Sequence, residues 1–538
     1  MPDMLSTNPT APAVPAIVNS YDEVPYESHP FAQTHPSRLF VIGTLFGLRP
    51  APVQRCRVLE LGCAAGGNLL PMADAFPDSQ FVGVDLSARQ IAEGQDLVQT
   101  LGLKNLTLKH ASITDIDSSY GMFDYVICHG VFSWVPTVVQ EKILEICAKQ
   151  MNPQGIAYIS YNTYPGWHMR GMIRDMMRYH AARFTTAQLR TQQARALLDF
   201  LAKSVRQDNS SYSTLLKSEL ETLRHQADHY LYHEHLEENN DPLYFHQFAE
   251  RAKVKGLKYL GEARVGTMVT GNFGPEIENT LKMIATDQIQ AEQYMDFLRN
   301  RMFRESLLCL GNVNPNWAVN PDCLRALHVA SGAAPVAEPV NITSDENVSY
   351  KGASGMTMAT NRPLLKAAMQ ILRQQYPGTV QYDALRRQAR DLIGGIPTDP
   401  KVTADDTQTL AVGLLNCYMG SDLVELHGAP IVYTRTPGDK PTALPLARLQ
   451  ATRGPIMANR RHEVVRLNEL DRHLIPLLDG TNDRAALVEK LTALTKENKM
   501  QVQRDGAPIY EEADIRLALQ SVIDQALLNV ARLGVMTV

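Results

Sequence analysis

The stretch VLELGCAAGGNLLPMADAFPDSQFVGVDLS, from Val58 to Ser87, constrains the fold more than any other part of the chain. It begins with an apolar run typical of a buried strand and then breaks at glycines. It continues as a helical segment and ends in a second apolar run closed by an aspartate. A strand, glycine loop, helix and second strand form the building unit of a parallel sheet covered by helices. The stretch therefore predicts an α/β fold with a ligand site at the glycine loop.

The same alternation continues as far as Tyr161. Apolar runs typical of strands are separated by longer segments, and the segment after the second run places Ile91, Val98 and Leu101 at helical spacing. Strands that alternate with helices predict a parallel sheet with helices on both faces. The five runs are RVLELG (57–62), QFVGVDL (80–86), LTLKHA (106–111), FDYVICHG (123–130) and GIAYISYN (155–162).

Charge and composition exclude several classes of function. The formal net charge of -5 and the pI near 6.3 give no basic surface, so we expect neither nucleic acid nor an anionic membrane as a partner. No run approaches the roughly 18 apolar residues of a membrane span, and the N-terminus lacks the pattern of a secretory signal. The seven cysteines are scattered without a C-x-x-C pair. These features predict a reduced, soluble, cytoplasmic protein without a metal site.

A chain of 538 residues is long enough for roughly two to four domains. The segments 363–393 and 468–494 each predict two short helices joined by a turn, an arrangement compatible with winged-helix modules. Residues 333–360 are small, polar and aperiodic, which is typical of a linker. The predicted regions are an N-terminal arm (1–36), an α/β domain (37–210), a mostly helical middle domain with strands that return to the sheet (211–332), the linker (333–360) and a C-terminal winged-helix-like domain (361–538).

The glycine loop is suited to a ligand that carries a ribose but no pyrophosphate. The loop is neither G-x-x-x-x-G-K-[ST] nor a clean G-x-G-x-x-G, because Cys63 and Ala64 occupy its middle. A helix that begins near Gly67 or Asn68 would direct free N–H groups and a partial positive charge towards a carboxylate or phosphate. Asp85, at the end of the second strand, is placed to accept hydrogen bonds from both hydroxyls of a ribose.

The strings ELGCAAGGN and GVDLS resemble motifs one and two of the class I S-adenosylmethionine-dependent methyltransferases. The resemblance implies that the loop holds the amino-acid part of S-adenosyl-L-methionine and that Asp85 binds its ribose. It further implies that Ser112 and Ile113, after the third strand, form the rim of the adenine site. The positions expected to bind the cofactor are Gln33, His35, Glu60, Gly62, Cys63, Ala64, Asn68, Asp85, Leu86, Gln90, Ser112, Ile113, His129, Gly130 and Val131.

Three further strings narrow the resemblance: YDEVPYESHPFAQTHPSRL (21–39), ICHGVFSWVP (127–136) and ISYNTYPGWHMRGMIRDMMRYHAARF (159–184). They are similar to bacterial methyltransferases with an added regulatory region, a group that includes the rickettsial lysine methyltransferases of outer-membrane proteins. The resemblance implies a Rossmann-like catalytic domain, a mostly helical middle domain and C-terminal winged-helix modules. It implies methyl transfer to lysines of a protein and leaves a homodimer possible. The alternatives are a small-molecule methyltransferase with regulatory or dimerisation domains, and a non-enzymatic protein that senses the cofactor.

Methylation of lysine requires a neutral amine, and burial beside aromatic groups favours the neutral form because desolvation disfavours the charge. The side chains predicted near the reaction centre include His129, which is either a general base or a residue that pins the loop after the fourth strand. Asn162 either accepts a hydrogen bond from the substrate amine or caps the following helix. Phe132, Trp134 and Trp167 also lie near the predicted opening, where ordinary packing is the favoured role for each of them. The catalytic candidates are Tyr21, Tyr26, His129, Trp134 and Tyr161.

The N-terminal arm has no core to fill, so its tyrosines predict a lid over the cofactor. His29 and His35 lack cysteine or carboxylate partners and are weak candidates for zinc. The short basic clusters 386–390 and 459–462 are expected to be solvated helix faces rather than phosphate contacts.

Overall fold

A computed structural model describes residues 28–205, 208, 210–224, 226–395, 400–504 and 506–537. Its centre is a sheet of seven strands in the order β3-β2-β1-β4-β5-β7-β6. The first five strands are parallel to one another, and all five were predicted from the apolar runs. The Rossmann-like fold class is therefore confirmed. The strands of this sheet are β1 (Arg57–Leu61), β2 (Gln80–Asp85), β3 (Leu106–His110), β4 (Phe123–Cys128), β5 (Met151–Asn162), β6 (Leu257–Glu262) and β7 (Phe303–Leu310).

Helices cover both faces of this sheet, as the alternation predicts. Ser87 caps α3 by accepting a hydrogen bond from the Gln90 N–H, and Gly102 ends the helix in the left-handed conformation. Pro71 lies in the first turn of α2, where its missing N–H costs little. The helices around the first five strands are α1 (Pro36–Leu45), α2 (Leu69–Ala75), α3 (Ala88–Leu101) and α4 (Thr137–Gln150).

Four helices that follow β5 form a separate apolar cluster, in which Ile173, Leu198, Leu216 and Leu231 are almost fully buried. The chain then returns to the sheet, as predicted for β6. The pattern of residues 276–310 is largely helical and therefore does not predict β7 at this position. These helices are α5 (Gly166–Ala181), α6 (Ala187–Ser204), α7 (Ser211–Arg224) and α8 (Asp228–His235), and those around β6 and β7 are α9 (Phe245–Val254), α10 (Pro275–Ile284) and α11 (Gln288–Arg299).

A buried charge in β7 explains why its sequence does not read as a strand. The Arg304 side chain is fully buried and pairs with Glu262 at 2.7 Å, Glu292 at 3.0 Å and Asp296 at 2.8 Å. Its guanidinium also lies 3.7 Å from the centre of the Phe245 ring. Burial raises the pKa of Glu292 to about 7. The cluster joins β6, β7, α9 and α11 where the middle region meets the sheet.

Residues 333–360, predicted to be an irregular linker, instead contain three short strands that form an antiparallel sheet. Gly355, at a φ of +88°, makes the turn between the second and third of them. The helix pair predicted for 363–393 is present. The elements from 328 to 427 are β8 (His328–Ala330), β9 (Ala334–Pro335), β10 (Val348–Lys351), β11 (Thr357–Thr360), α12 (Pro363–Gln375), β12 (Val380–Gln381), α13 (Tyr382–Leu392), α14 (Pro400–Gly420) and β13 (Glu425–His427).

The last hundred residues have their own core, built around Leu474, Leu487, Leu491 and Leu527. The helix, turn and helix predicted for 468–494 are present. The boundaries proposed for the five regions of the chain stay predictions. The elements of this C-terminal part are α15 (Pro445–Arg453), β14 (Ile456–Ala458), β15 (Val464–Arg466), α16 (Glu469–Leu474), α17 (Arg484–Lys496), β16 (Gln503–Arg504), β17 (Ala507–Pro508) and α18 (Glu512–Arg532).

Among the described residues, no helix is both long enough and apolar enough to cross a membrane. The same part of the chain holds no group of three or more His, Cys, Asp or Glu side chains arranged to bind a metal ion.

Candidate active site

The loop between β1 and α2 turns sharply at the carboxyl end of the sheet. Gly62, Ala64 and Gly66 all have positive φ, at 76°, 49° and 75°. The N–H groups of Gly62 and Cys63 both donate to the Val84 carbonyl, so the loop is fixed to the neighbouring strand. A Cβ at Gly62 would lie 2.4 Å from Val131, which shows how closely the loop after β4 approaches. Burial raises the pKa of the Cys63 thiol well above its ordinary value.

Asp85 connects this loop to the start of α3. Its Oδ2 accepts a hydrogen bond from the Ala64 N–H at 2.8 Å, and its Oδ1 accepts one from the Ser87 N–H at 2.8 Å. Hydrogen bonds to an ionised carboxylate are among the stronger ones in proteins. The left-handed Ala64 is thereby held in place. Asp85 therefore organises the loop itself, and its contact with a ribose stays a prediction.

Glu60 lies beneath the loop and is only 3% exposed. Its Oε1 accepts a hydrogen bond from Asn68 Nδ2 at 2.7 Å, whereas its Oε2 has no hydrogen-bond partner among the described residues. The pKa of Glu60 is raised to about 8, chiefly by burial and to a smaller extent by the nearby Asp85, against the lowering effect of the Asn68 hydrogen bond. A buried acceptor without a partner, next to a helix start, fits a ligand that carries an amino-acid group.

The raised pKa of Glu60 predicts that this side chain lowers the free energy of unfolding by an amount that grows with pH. The side chain has a pKa of about 8 in the folded protein and near 4.5 when unfolded. As the pH rises, the unfolded chain therefore loses this proton first, and Glu60 destabilises the fold progressively between pH 5 and pH 8. Glu60→Gln should remove this cost and gain roughly 4–5 kcal/mol over wild type by pH 8.5, against less than about 1 kcal/mol at pH 5.

Urea unfolding of the ligand-free protein from pH 5 to pH 9 measures this difference. Glu93→Gln is the matched control, because Glu93 pairs with Arg89 on the surface with about half of its side chain exposed. A gain from Glu60→Gln that is the same at every pH would contradict the assignment.

The first residues that the structure describes lie directly on the glycine loop. Ser28 Oγ accepts a hydrogen bond from the Gly67 N–H at 2.8 Å, and a Cβ on Gly67 would lie 2.2 Å from the Ser28 carbonyl oxygen. The Phe31 N–H donates to Asn68 Oδ1 at 2.9 Å. No sequence pattern marks Ser28 or Phe31 as residues of the site. The lid tyrosines, Tyr21 and Tyr26, lie outside the described residues.

The candidate adenine rim lies after β2 and β3. Ser112 caps the short helix Ile113–Asp115 by accepting a hydrogen bond from the Thr114 N–H, and its own N–H donates to Asp115. The Ile113 side chain is half-buried, and Leu86 is 60% exposed. Gln90 is buried in the first turn of α3. These side chains share one edge of the sheet, because the parallel register aligns Asp85 with His110.

His129 follows β4 and is held on several sides. Its Nδ1 lies 2.9 Å from the Tyr158 hydroxyl and 3.3 Å from Ser160 Oγ, and its ring centre lies 4.1 Å from that of Phe31, with the two rings tilted by 42°. Burial, with a smaller contribution from the Arg264 charge, lowers its pKa to about 4. At neutral pH the imidazole is therefore uncharged. Burial raises the pKa of Tyr158 well above its ordinary value, so its hydroxyl keeps its proton beside Nδ1.

Gly130 and Val131 form the side of the site next to His129. Gly130 has a φ of 67°, and no atom would lie within 4 Å of a Cβ there. Its N–H donates to Ser160 Oγ at 2.8 Å. Phe303, at the start of β7, is 39% exposed, and its ring centre lies 6.3 Å from that of His129. Phe303 belongs to this face, although its segment was expected to be helical.

Tyr161 and Trp134, the two other catalytic candidates among the described residues, are placed differently from His129. Tyr161 is 1% exposed, stacks at 4.1 Å on Phe248 and shares a hydrogen bond with Ser306. It is a core residue, because alternation along β5 directs its side chain into the sheet face under α9. Trp134 is half-buried in the turn after β4, with its ring 6.2 Å from the ring of the buried Trp167.

The remaining polar candidates support the walls of the site. His35 Nδ1 accepts a hydrogen bond from the Ser37 N–H and caps α1, and burial lowers its pKa to about 3. Gln33 is half-buried in the short helix before it. The Asn162 side chain donates to Asn240 Oδ1 at 2.9 Å and does not cap α5. Helix capping by Asn162 is thus wrong.

The prediction that 459–462 is a solvated helix face is also wrong. These residues form the turn between β14 and β15, where Arg461 and His462 are largely buried. Arg460 pairs with Asp74 of α2 at 3.2 Å, and His462 Nε2 lies 2.8 Å from Asn68 Oδ1. No local pattern marks a contact between residues this far apart in the chain. By contrast, the other basic cluster is helical, lies on α13, and its Arg390 pairs with Asp406.

Three family models match parts of the chain, and the first two matches overlap. A model described as a methyltransferase domain matches residues 52–240, and one described as a predicted methyltransferase regulatory domain matches residues 227–310. A third, described as the C-terminal winged helix domain of PKMT, matches residues 439–535.

Similar proteins cover nearly the whole chain. The chain is 37% identical to the uncharacterized protein RP789 of Rickettsia prowazekii, over 94% of its own length and 91% of that protein. The structure of PKMT2 from Rickettsia typhi in complex with AdoHcy superposes with a TM-score of 0.84 at 30% identity. That match covers 96% of this chain and 100% of PKMT2. The shorter RP028 of Rickettsia prowazekii is 47% identical over 45% of this chain and 96% of its own length.

Proposed function

Because the chain belongs to the PKMT family of S-adenosylmethionine-dependent methyltransferases, we propose that it transfers methyl groups to lysine side chains of a protein. S-adenosylmethionine carries its methyl group on a positively charged sulfur, from which a nucleophile takes it by in-line displacement. The tasks left to the protein are to hold the cofactor, to position the amine, to exclude water and to keep the amine neutral.

The residues around the glycine loop fit an amino acid joined to a nucleoside. Glu60 and the start of α2 would hold the amino-acid part, and the Asp85 end of β2 would hold the ribose. Ser112 and Ile113 would border the base. Ser28, which is hydrogen-bonded to Gly67, covers the loop from the N-terminal side. The N-terminal segment therefore excludes water from the amino-acid end of the site.

The face beside Gly130 suits a lysine side chain, and this observation carries the proposal. Phe31 and Phe303 flank His129, whose ring is uncharged at neutral pH. An amine that enters among these rings loses contact with water, and desolvation lowers its pKa towards neutrality. Aromatic faces also stabilise the methylated ammonium product. His129, with a pKa of about 4, is a poor proton acceptor, so its role in this proposal is to position the loop.

Acidic residues next to this face favour a cationic side chain as the approaching group. Asp241 is exposed, and its N–H donates to the Ser133 carbonyl in the turn after β4. Glu238 is exposed in the same loop, and Asn240 of that loop accepts the hydrogen bond from Asn162 at the end of β5. The negative charge attracts lysine before its proton is lost.

The proposal is tested by incubating the purified protein with radiolabelled S-adenosylmethionine and a cell lysate. We expect label in protein bands, and methylated lysine after complete digestion of those bands. The Asp241→Asn/Glu238→Gln double variant should incorporate less label at low salt and approach wild type as salt rises, because screening weakens long-range attraction. Label in small molecules alone, or in protein residues other than lysine, would overturn the proposal.

A further inference from the structure

The turn between β14 and β15 inserts one side chain from the C-terminal part into the catalytic part. His462 has a φ of +61° and is 4% exposed. Its Nε2 lies 2.8 Å from Oδ1 of Asn68, the residue that joins the glycine loop to α2. Because both groups are buried, their hydrogen bond is shielded from competing water.

The partners of Asn68 fix the direction of this hydrogen bond. Asn68 Nδ2 donates to Glu60 Oε1 at 2.7 Å and to Thr34 Oγ1 at 3.0 Å, so Oδ1 is the acceptor side of the amide. Oδ1 also accepts the Phe31 N–H. Nε2 of His462 is therefore the donor. Burial, with a further contribution from His35, holds the pKa of His462 well below its usual range, so the ring is the neutral Nε2–H form.

The orientation of the Asn68 amide controls the buried carboxyl beneath the loop. With Oδ1 held by His462 and Phe31, Nδ2 faces Glu60 and donates to it. If the amide turned over, its carbonyl would face Glu60 Oε1, and the NH₂ group would face two donors. His462 thus excludes the arrangement that would leave Glu60 without its donor.

Other contacts of the same turn hold His462 in place. Arg460 pairs with Asp74 of α2, and both side chains are mostly buried. Arg461 makes two hydrogen bonds to the carboxylate of Glu425, at 2.8 Å and 2.7 Å. The His35 ring lies 4.9 Å from the His462 ring, so the N-terminal segment packs on the same turn. The turn is therefore a rigid part of the wall behind the glycine loop.

We propose that His462 is a positioning residue through which the C-terminal part completes the cofactor site, by setting the orientation of Asn68 and hence of Glu60. The inference rests on the proposed function only in that the loop binds S-adenosylmethionine or its product. It does not depend on the identity of the methyl acceptor. Cofactor affinity should accordingly require this contact even in the absence of any substrate.

Calorimetry of AdoHcy binding to the full-length chain tests the proposal. His462→Phe fills the space without a donor, and we expect binding about 10-fold to 30-fold weaker than wild type. His462→Gln places an amide N–H near the position of Nε2, and we expect binding within about threefold of wild type. Rescue by glutamine separates a donor from simple space filling.

Two further variants provide a second way to remove the donor and a control for the boundary between the two parts. His462→Asn tolerates the left-handed backbone but is too short to reach Asn68, so it should lose affinity as phenylalanine does, and it serves if the phenylalanine variant does not fold. Arg453→Ala removes an exposed ion pair with Asp96 across the same boundary and should bind as wild type does.

The outcomes distinguish the two proposals. If wild-type protein fails to bind AdoHcy, the proposed function fails. If wild type binds, and folded His462→Phe or His462→Asn binds equally well, the positioning role is refuted while the proposed function stands. Equal losses in the phenylalanine and glutamine variants would also refute it, because they would show that shape, rather than the donor, matters.

Discussion

Asp85→Ala is expected to weaken AdoHcy binding by at least about 100-fold. The substitution removes two hydrogen bonds that an ionised carboxylate accepts from the N–H groups of Ala64 and Ser87. Each such bond contributes about 1.5–3 kcal/mol, and about 1.4 kcal/mol corresponds to a tenfold change in affinity. The loop then loses the hydrogen bond that holds Ala64, while Gly62 and Cys63 stay bonded to the Val84 carbonyl, and the acceptor predicted for the ribose is lost as well. Calorimetric titration with AdoHcy measures the loss.

Asp78→Ala is the matched control, because Asp78 is exposed in the turn before β2. It should bind AdoHcy with wild-type affinity. Asp85→Asn keeps one side-chain oxygen and should fall between wild type and alanine. A folded Asp85→Ala protein with unchanged affinity would show that the crevice between β1 and β2 does not bind the nucleoside.

Arg304→Met is expected to lower the free energy of unfolding by about 3–5 kcal/mol, the usual cost of removing one partner from a buried ion pair. Without Arg304, Glu262 and Asp296 keep an ion pair with Arg301, whereas Glu292 keeps none among the described residues. Removal of a positive charge raises the pKa of these carboxyl groups. Urea unfolding followed by circular dichroism measures the effect on the transition that includes the sheet.

The loss of unfolding free energy in Arg304→Met should increase as the pH rises. Glu292 already has a pKa of about 7 beside Arg304, and without that arginine its proton is held still more tightly. Acids with raised pKa values destabilise the fold as pH increases, so the loss should be larger at pH 8 than at pH 5.5. Arg264→Ala, which removes an ion pair with Glu305 from a 63% exposed arginine, should cost less than about 1 kcal/mol. A loss from Arg304→Met that is larger at pH 5.5 would contradict this account.

The elements predicted correctly are those whose pattern lies within a single stretch of the sequence. β1 to β5 and α3 follow from apolar periodicity, and the glycine loop follows from residues that tolerate a positive φ or a close approach. β7 does not follow from apolar periodicity, because Arg304 and Glu305 interrupt its apolar run and the partners of these two residues lie elsewhere in the chain. The strands within 333–360 were not predicted for a related reason. They are short and half-exposed, so their composition resembles that of a linker.

The residues of the candidate site likewise fall into those that lie close together in the sequence and those that come from distant segments. Glu60, Asn68 and Asp85 belong to one strand–loop–strand unit, so their proximity could be inferred from sequence spacing. Tyr161 was misplaced because periodicity alone does not tell which face of β5 meets the substrate. Ser28, Phe303 and His462 reach the site from distant segments, and nothing in their own neighbourhood indicates the residues that they contact.

The strand order of the sheet has a consequence for how the protein is made. β5 is complete when the ribosome has added Asn162, but its antiparallel partner β7 does not begin until Phe303. Throughout that interval the backbone of β5, with its apolar residues Ile156 to Ile159, presents an unpaired edge that can capture a strand of another nascent chain. We therefore expect yield in the cell to depend on the speed of elongation through this interval and on chaperones that shield the edge, as well as on the stability of the finished molecule.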